Sequence, residues 1–380
     1  MPATDHPHDA APAEDAAPAW AMPIADAAAA AIDASLHEAF AEACARHSPV
    51  QATYVLSGRR ASIRVCGEQL AEKVHLPFAH LHRPGDAAAA DITIDLWDPA
   101  ATGVALPAPA LEAVNAEGNP PVRVSVNGRY VGHRLRRTLV WLDRRCSRIT
   151  GGVDLAAPLS LFETGRPLYF PLMLWLRDQR VQFVHSGMVE RDGRGVILCG
   201  QGGSGKSTTS LLCLLAGMGF LGDDYVGLER TETGFVGHSL FASTYVEPEH
   251  LRRFPQLHPH AVHGSAPGED KSVVLLSRLF PERLRASASI AAVLLPQVTG
   301  EAATRIEPAT RGYALRRAAP SSILQLLAPE AGSLHRIASL IEAVPCFKVL
   351  LGRDMEHVAA RIDELLCSLK PDPAAEARGR

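Results

Sequence analysis

The stretch Gly195–Glu229, GVILCGQGGSGKSTTSLLCLLAGMGFLGDDYVGLE, decides the reading of this chain. GVILC is continuously apolar, as a strand buried on both faces should be. GQGGSGKS, Gly200–Ser207, then meets G-x-x-x-x-G-K-[ST] at every required position. Gly200, Gly202, Gly203 and Gly205 let the backbone bend tightly and aim N–H groups at phosphate oxygens. Ser204 and Thr208 belong to the same cradle. The loop opens the helix KSTTSLLCLLAGM, whose N-terminal donors and dipole favour an anion. Lys206 is expected to reach β- and γ-phosphates, and the Ser207 hydroxyl to ligate Mg²⁺. A further apolar strand ends at Asp223 and Asp224. Strand, loop, helix and strand in that order predict the start of a parallel α/β sheet.

A loop of this kind specifies a nucleoside triphosphate and not its base. No N-K-x-D motif of a GTPase occurs. The acidic pair ends the very next strand, whereas AAA-type and ABC-type ATPases carry theirs much further on.

Upstream, VQFVHSGMVERDGRGVILCG predicts two strands joined by an Arg-Asp-Gly-Arg turn, preceded by a helix in PLYFPLMLWLRDQ. Earlier still, ATYVLSG, ASIRVCG and DITIDLWD read as strands. VRVSVNGRYVGHRL reads as a hairpin, with Asn127-Gly128 supplying the positive-φ turn. Downstream, ASIAAVLLPQV and CFKVLLG are strands. APSSILQLLA, LHRIASLIEAV and HVAARIDELLCSL are helices. The domain expectation is a disordered tail over 1–35, a strand-rich α/β region over 36–150, a second domain over 151–370, and a frayed end over 371–380. The tail is poor in large apolar side chains to about residue 30, so its loss should cost no stability. The helical run AAAAAIDASLHEAFAEACARH overlaps its end.

Composition excludes some classes. Of 380 residues, 47% are apolar and 21% charged, with a net charge of −3. That is a globular profile with no global field toward nucleic acid or an anionic membrane. The seven cysteines form no C-x-x-C pair, which predicts reduced thiols in a cytoplasmic protein and no zinc site. No apolar run is long enough to span a bilayer.

FVHSGMVERDGRGVILCGQGGSGKSTTSLLCLLAGMGFLGDDYV resembles the core of HPr kinase/phosphorylase, with histidine, lysine and aspartate in register. The wording GKSTT…DDY is more particularly similar to HPr-kinase-like proteins of peptide natural-product clusters. Some of these phosphorylate a serine of a precursor peptide, as in lasso-peptide tailoring. The resemblance implies the P-loop fold shared with phosphoenolpyruvate carboxykinase. It implies ATP and Mg²⁺ as cofactors, a peptide or small-protein acceptor, and a possible homo-oligomer. Carried over, Lys206 and Ser207 take phosphate and Mg²⁺, Asp223 is the acid/base carboxylate, Asp224 a metal-side neighbour, and His185 the histidine before the loop. Alternation along a regular strand lets only one of the two aspartates face the γ-phosphate. The family's E-I-R-G-x-G segment is absent. Glu247 and Glu249 are the nearest carboxylates, and Lys271 and Arg311 are candidate cations.

The expectation is therefore an ATP-dependent kinase acting on a serine hydroxyl. The alternatives are a non-catalytic nucleotide-binding regulator and a small-molecule enzyme, either a hydroxyl kinase or a decarboxylating one.

Overall fold

The computed structural model describes residues 21–85, 88–113, 122–264, 270–324 and 331–369. Among these residues two large mixed sheets carry the fold, and a three-stranded sheet lies beside the second.

The first sheet has eight strands, in the order Met22–Ile24, Val122–Ser125, Tyr130–Arg134, Thr138–Asp143, Arg148–Val153, Ile92–Trp97, Arg59–Cys66 and Val50–Leu56. Alternation sorts its residues to two faces. In Thr138–Asp143, Leu139 and Trp141 join Ile32, Leu36 and Phe40 of the helix Asp26–Arg46. Val140 and Leu142 face the other way and join Phe170, Met173 and Trp175 of the helix Tyr169–Asp178. That second helix is buried from Tyr169 to Leu176. It is apolar all round because its cluster also takes in Val181, Phe183 and Tyr225, from strands of the second sheet and the turn beside them.

The second sheet runs Gly219–Gly222, Ser186–Arg191, Arg194–Cys199, Ser287–Val298, Gly234–Ser239, Val226–Thr231, Val181–Val184. Cys346–Leu351 adds to the far half of Ser287–Val298. Arg194–Cys199 is buried on both faces, as its sequence requires. Val196 and Leu198 pack with Leu211 and Leu214 of the helix Lys206–Leu215 and with Val358 and Ile362 of the helix Met355–Ser368. Ile197 and Cys199 pack with Ala314, Ile337 and Leu340, from two helices on the opposite face.

Two expectations need correction. The sheet around the loop strand is mixed and not parallel. Asp192 (φ 53°) and Gly193 (φ 79°) both adopt left-handed backbone, the two-residue turn that closes a tight hairpin. It folds Ser186–Arg191 back beside Arg194–Cys199 as an antiparallel neighbour. Gly219–Gly222 pairs with the outer edge of Ser186–Arg191, so a hairpin strand separates it from the loop strand. Only the Ser287–Val298 side is parallel.

The tail also ends earlier than expected. Met22–Ile24 is a strand paired with Val122–Ser125, and residues 26–35 begin the helix Asp26–Arg46. Alanines with a few large residues at helical spacing suffice because Ala29, Ile32 and Leu36 are buried against the sheet. The remainder of the expected tail, residues 1–20, lies outside the described residues, as does 371–380.

Cys66, Cys199, Cys213 and Cys346 are buried free thiols, and Cys146 and Cys367 are exposed ones. Among the described residues no helix is long and apolar enough to cross a membrane.

Deleting residues 1–30 should therefore destabilise the protein, against the sequence expectation. It removes a sheet strand, the 3.0 Å bond from the Asn127 N–H to Asp26 Oδ1, and buried Ala29. At about 1 kcal/mol per lost hydrogen bond the melting temperature should fall by several degrees. An unchanged melting temperature would restore the tail reading.

Candidate functional site

The site forms where the loop strand turns into the helix Lys206–Leu215. Gly203 (φ 74°) and Gly205 (φ 98°) hold left-handed backbone at the turn. A Cβ on Gly202 or Gly203 would meet nothing, whereas one on Gly205 would strike Leu351. The first pair faces open space and the last is locked by packing. A cavity of about 260 Å³ opens over the loop. Gly202 to Thr209 form one wall. Val298, Leu351, Met355 and Val358 form an apolar one, and His185, Asp224 and Lys271 supply polar groups.

Lys206 folds back over the loop. Its Nζ donates to Gly200 O at 2.7 Å and to Gln201 O at 3.2 Å. Burial lowers its pKa, and Asp223 opposes that shift.

Asp223 follows the strand Gly219–Gly222 and is 1% exposed. Its Oδ2 accepts from Thr244 Oγ1 at 2.6 Å and from the Tyr245 N–H at 3.3 Å. Among the described residues its Oδ1 is buried and makes no hydrogen bond of good geometry, although the Ser207 hydroxyl is close enough to act on the carboxylate. Burial raises its pKa, while Thr244, Ser207, Tyr245 and Lys206 act to lower it.

Asp224 has different surroundings. Its Oδ2 is paired with Arg166, and its Oδ1 lies 2.7 Å from His185 Nε2. Arg166 is 7% exposed, with its guanidinium carbon 3.9 Å from the Tyr245 ring centroid and 5.0 Å from that of Tyr225. Cation–π contacts of this desolvated kind are worth up to about 2 kcal/mol. Burial, then Lys206, Arg166 and Lys271, push the His185 pKa down to about 3, outweighing its contact with Asp224.

His185, Lys206, Ser207, Asp224 and the expected loop residues from Gly202 to Thr208 come together at the cavity. Gly200 lies below it as a carbonyl acceptor for Lys206. Asp223 adjoins the site from beneath and does not line the cavity. Of the looser candidates, Glu247 and Lys271 line it and Glu249 does not. Arg311 is not part of the site, because its guanidinium donates to Glu342 O at 3.0 Å. Arg317, nearly two helical turns further on, is the arginine whose charge reaches Lys206. Sequence reading missed Arg166 and Thr244. It also gave no reason for Gly187, where a Cβ would strike Ser210 of the loop helix and the strand must stay bare.

No family model matches this chain, and no curated protein matches it. Among solved structures, the Hpr(Ser) kinase/phosphatase from Coxiella burnetii is similar at 13% identity and a TM-score of 0.26. The match covers 48% of this chain and 97% of that one.

Three histidines set a pH dependence, His133 and His185 buried and His80 partly buried, and His238, also buried, shifts in the same direction. Burial lowers His80 and His185 to about 3 and His133 to about 4. The unfolded chain protonates these rings near pH 6.5, the folded chain only below about 4. Stability is therefore fully present above pH 6.5 and lost as pH falls. Each ring contributes a slope of up to about 1.4 kcal/mol per pH unit. Asp223, raised, acts in the opposite sense and cannot cancel three rings. The melting temperature should drop steadily from pH 7 to pH 5. A flat curve would contradict neutral burial of these rings.

Proposed function

We propose that this protein is an ATP-dependent kinase that transfers the γ-phosphate to a serine hydroxyl of a peptide or small protein. The observation that carries this reading is the pairing of the glycine loop and Lys206 with a buried, half-satisfied Asp223 beside Ser207. Open space over Gly202 and Gly203 suits phosphates approaching backbone N–H groups, and the apolar wall suits a purine ring.

The donor set fits Mg²⁺. Asp223 Oδ1 and the Ser207 hydroxyl are hard oxygen donors, and a buried oxygen without a well-formed bond is costly. Mg²⁺ held there would neutralise charge on the β- and γ-phosphate oxygens. In this reading Asp223 is metal-side and Asp224 belongs to the acceptor side, the reverse of the roles carried over by resemblance. The engagement of both Asp224 oxygens supports the exchange.

The chain's own groups account for the rest. Lys206 exchanges its loop carbonyls for phosphate oxygens and stabilises the charge of transfer. The loop N–H groups and the start of the helix Lys206–Leu215 hold the triphosphate in line with the acceptor. Lys271 adds a cation at the polar end of the cavity.

Lys206→Ala should abolish transfer and weaken Mg-ATP binding at least tenfold in calorimetry. Gly203→Val should block nucleotide, because its side chain would enter the open space over the loop, and should lower stability while unfolding stays cooperative, because a β-branched residue is strained at φ 74°. Transfer at the wild-type rate by Lys206→Ala, or unchanged affinity in Gly203→Val, would sink the assignment. Mg-ATP binding by wild type without transfer to any serine peptide would favour the regulator instead.

A further inference from the structure

Two cysteines that stand apart in the sequence meet at the first sheet. Cys44 lies in the last turn of the helix Asp26–Arg46, and Cys66 ends the strand Arg59–Cys66. Their sulfurs are 3.4 Å apart, with one thiol donating to the other. Among the described residues this is the one contact between cysteines. Neither sulfur belongs to the cavity over the loop.

The two thiols differ in access. Cys66 is fully buried, in the cluster that holds Phe40, Trp97 and Trp141. Cys44 is partly exposed and packs against the edge of that cluster. A small molecule in solvent therefore meets Cys44 first. Burial pushes the Cys66 thiol up to about 12, which keeps it protonated and inert toward anything outside. Arg64 is the cation within electrostatic reach of both sulfurs, with Asp95 bonded to it as the opposing charge. A cation in that place favours a thiolate, the form that attacks.

We propose that Cys44 and Cys66 are a dithiol site that a small-molecule disulfide oxidises, reversibly, to a Cys44–Cys66 disulfide. Cys44 gives its proton to water, and its sulfur attacks one sulfur of the small disulfide. The S–S bond of that molecule breaks, and the departing thiolate takes up a proton. Cys66 then gives up its proton and attacks Cys44 Sγ, and the second small thiol leaves in the same way. Two protein thiols lose two electrons and two protons, and the small disulfide gains both to become two thiols. Because Cys66 attacks only its neighbour, its burial is no obstacle to the second step. The bond joins the last turn of the helix to the sheet that the helix covers, across 22 positions of sequence. Such a link stabilises the fold by constraining the unfolded chain.

Glutathione disulfide is the probe, applied to the full chain. Remaining thiols are then blocked with N-ethylmaleimide in denaturant, and the unreduced digest is read by mass spectrometry. Wild type should yield a peptide pair linked through Cys44 and Cys66, and dithiothreitol should release it. The melting temperature should rise by several degrees on oxidation and return on reduction. Cys66→Ser should hold glutathione on Cys44 as a lasting mixed disulfide, because the second thiol is gone. Cys44→Ser should leave Cys66 without glutathione. Glutathione retained on Cys44 of wild type as fully as in Cys66→Ser would overturn the proposal and make the contact one of packing alone. A wild-type Cys44 that stays unmodified, or that links to Cys146 or Cys367 instead, would overturn it as well.

Discussion

The buried carboxylate of Asp223 is the constraint around which the site is arranged. Three separated segments meet at it: the end of the strand Gly219–Gly222, the small-sheet strand Ser243–Val246 through Thr244 and Tyr245, and the start of the loop helix through Lys206 and Ser207. A carboxylate that is 1% exposed is tolerated only with partners, and among the described residues one oxygen is well bonded while the other has only the nearby Ser207 hydroxyl. Lys206 is also buried and its charge also disfavoured. Each charge offsets part of the other's desolvation cost, and neither is fully compensated. In the reading proposed above, the remaining polar cost is what a bound cation and a polyphosphate would relieve.

The neighbouring Asp224 shows how one step along the chain changes the chemistry. Asp223 turns down among hydroxyl and backbone donors, and Asp224 turns toward the cavity, where Arg166 and His185 take both its oxygens. Arg166 comes from the segment that links the two large sheets. Gly165 O accepts from Ser243 Oγ, and Leu161 O accepts from Tyr245 Oη. The first sheet is thus tied to the site through this linker. A second tie is the ion pair between Arg59 and Glu229 at 2.8 Å, with Glu229 also held by His238.

Much of the site was legible because its chemistry depends on closely spaced residues. The run of glycines, Lys206 and Ser207 in GQGGSGKS needs only local geometry, and GVILC declares a doubly buried strand without a partner in view. The rest depends on contacts between distant segments. Arg166 sits in an ordinary ETGRPL stretch, and only the fold brings Tyr225, Tyr245 and Asp224 to it. Thr244 carries no motif. Arg311 and Arg317 are alike in sequence, and helical phase decides which of them faces Lys206. The sheet was misread as parallel because strand, loop, helix and strand do not reveal an intervening hairpin strand. The Asp192-Gly193 turn was the available signal. The helix beginning at Asp26 was undervalued because its alanines are buried against a sheet and not against one another.

The central claim is that the two adjacent aspartates divide the work, Asp223 toward the metal and Asp224 toward His185. Mn²⁺, a stand-in for Mg²⁺ with the same oxygen preference, reads that division directly by electron paramagnetic resonance in the presence of a non-hydrolysable ATP analogue. Mn²⁺ affinity should fall at least tenfold in Asp223→Asn and stay within a few-fold of wild type in Asp224→Asn. Loss of Mn²⁺ in Asp224→Asn with retention in Asp223→Asn would contradict the account.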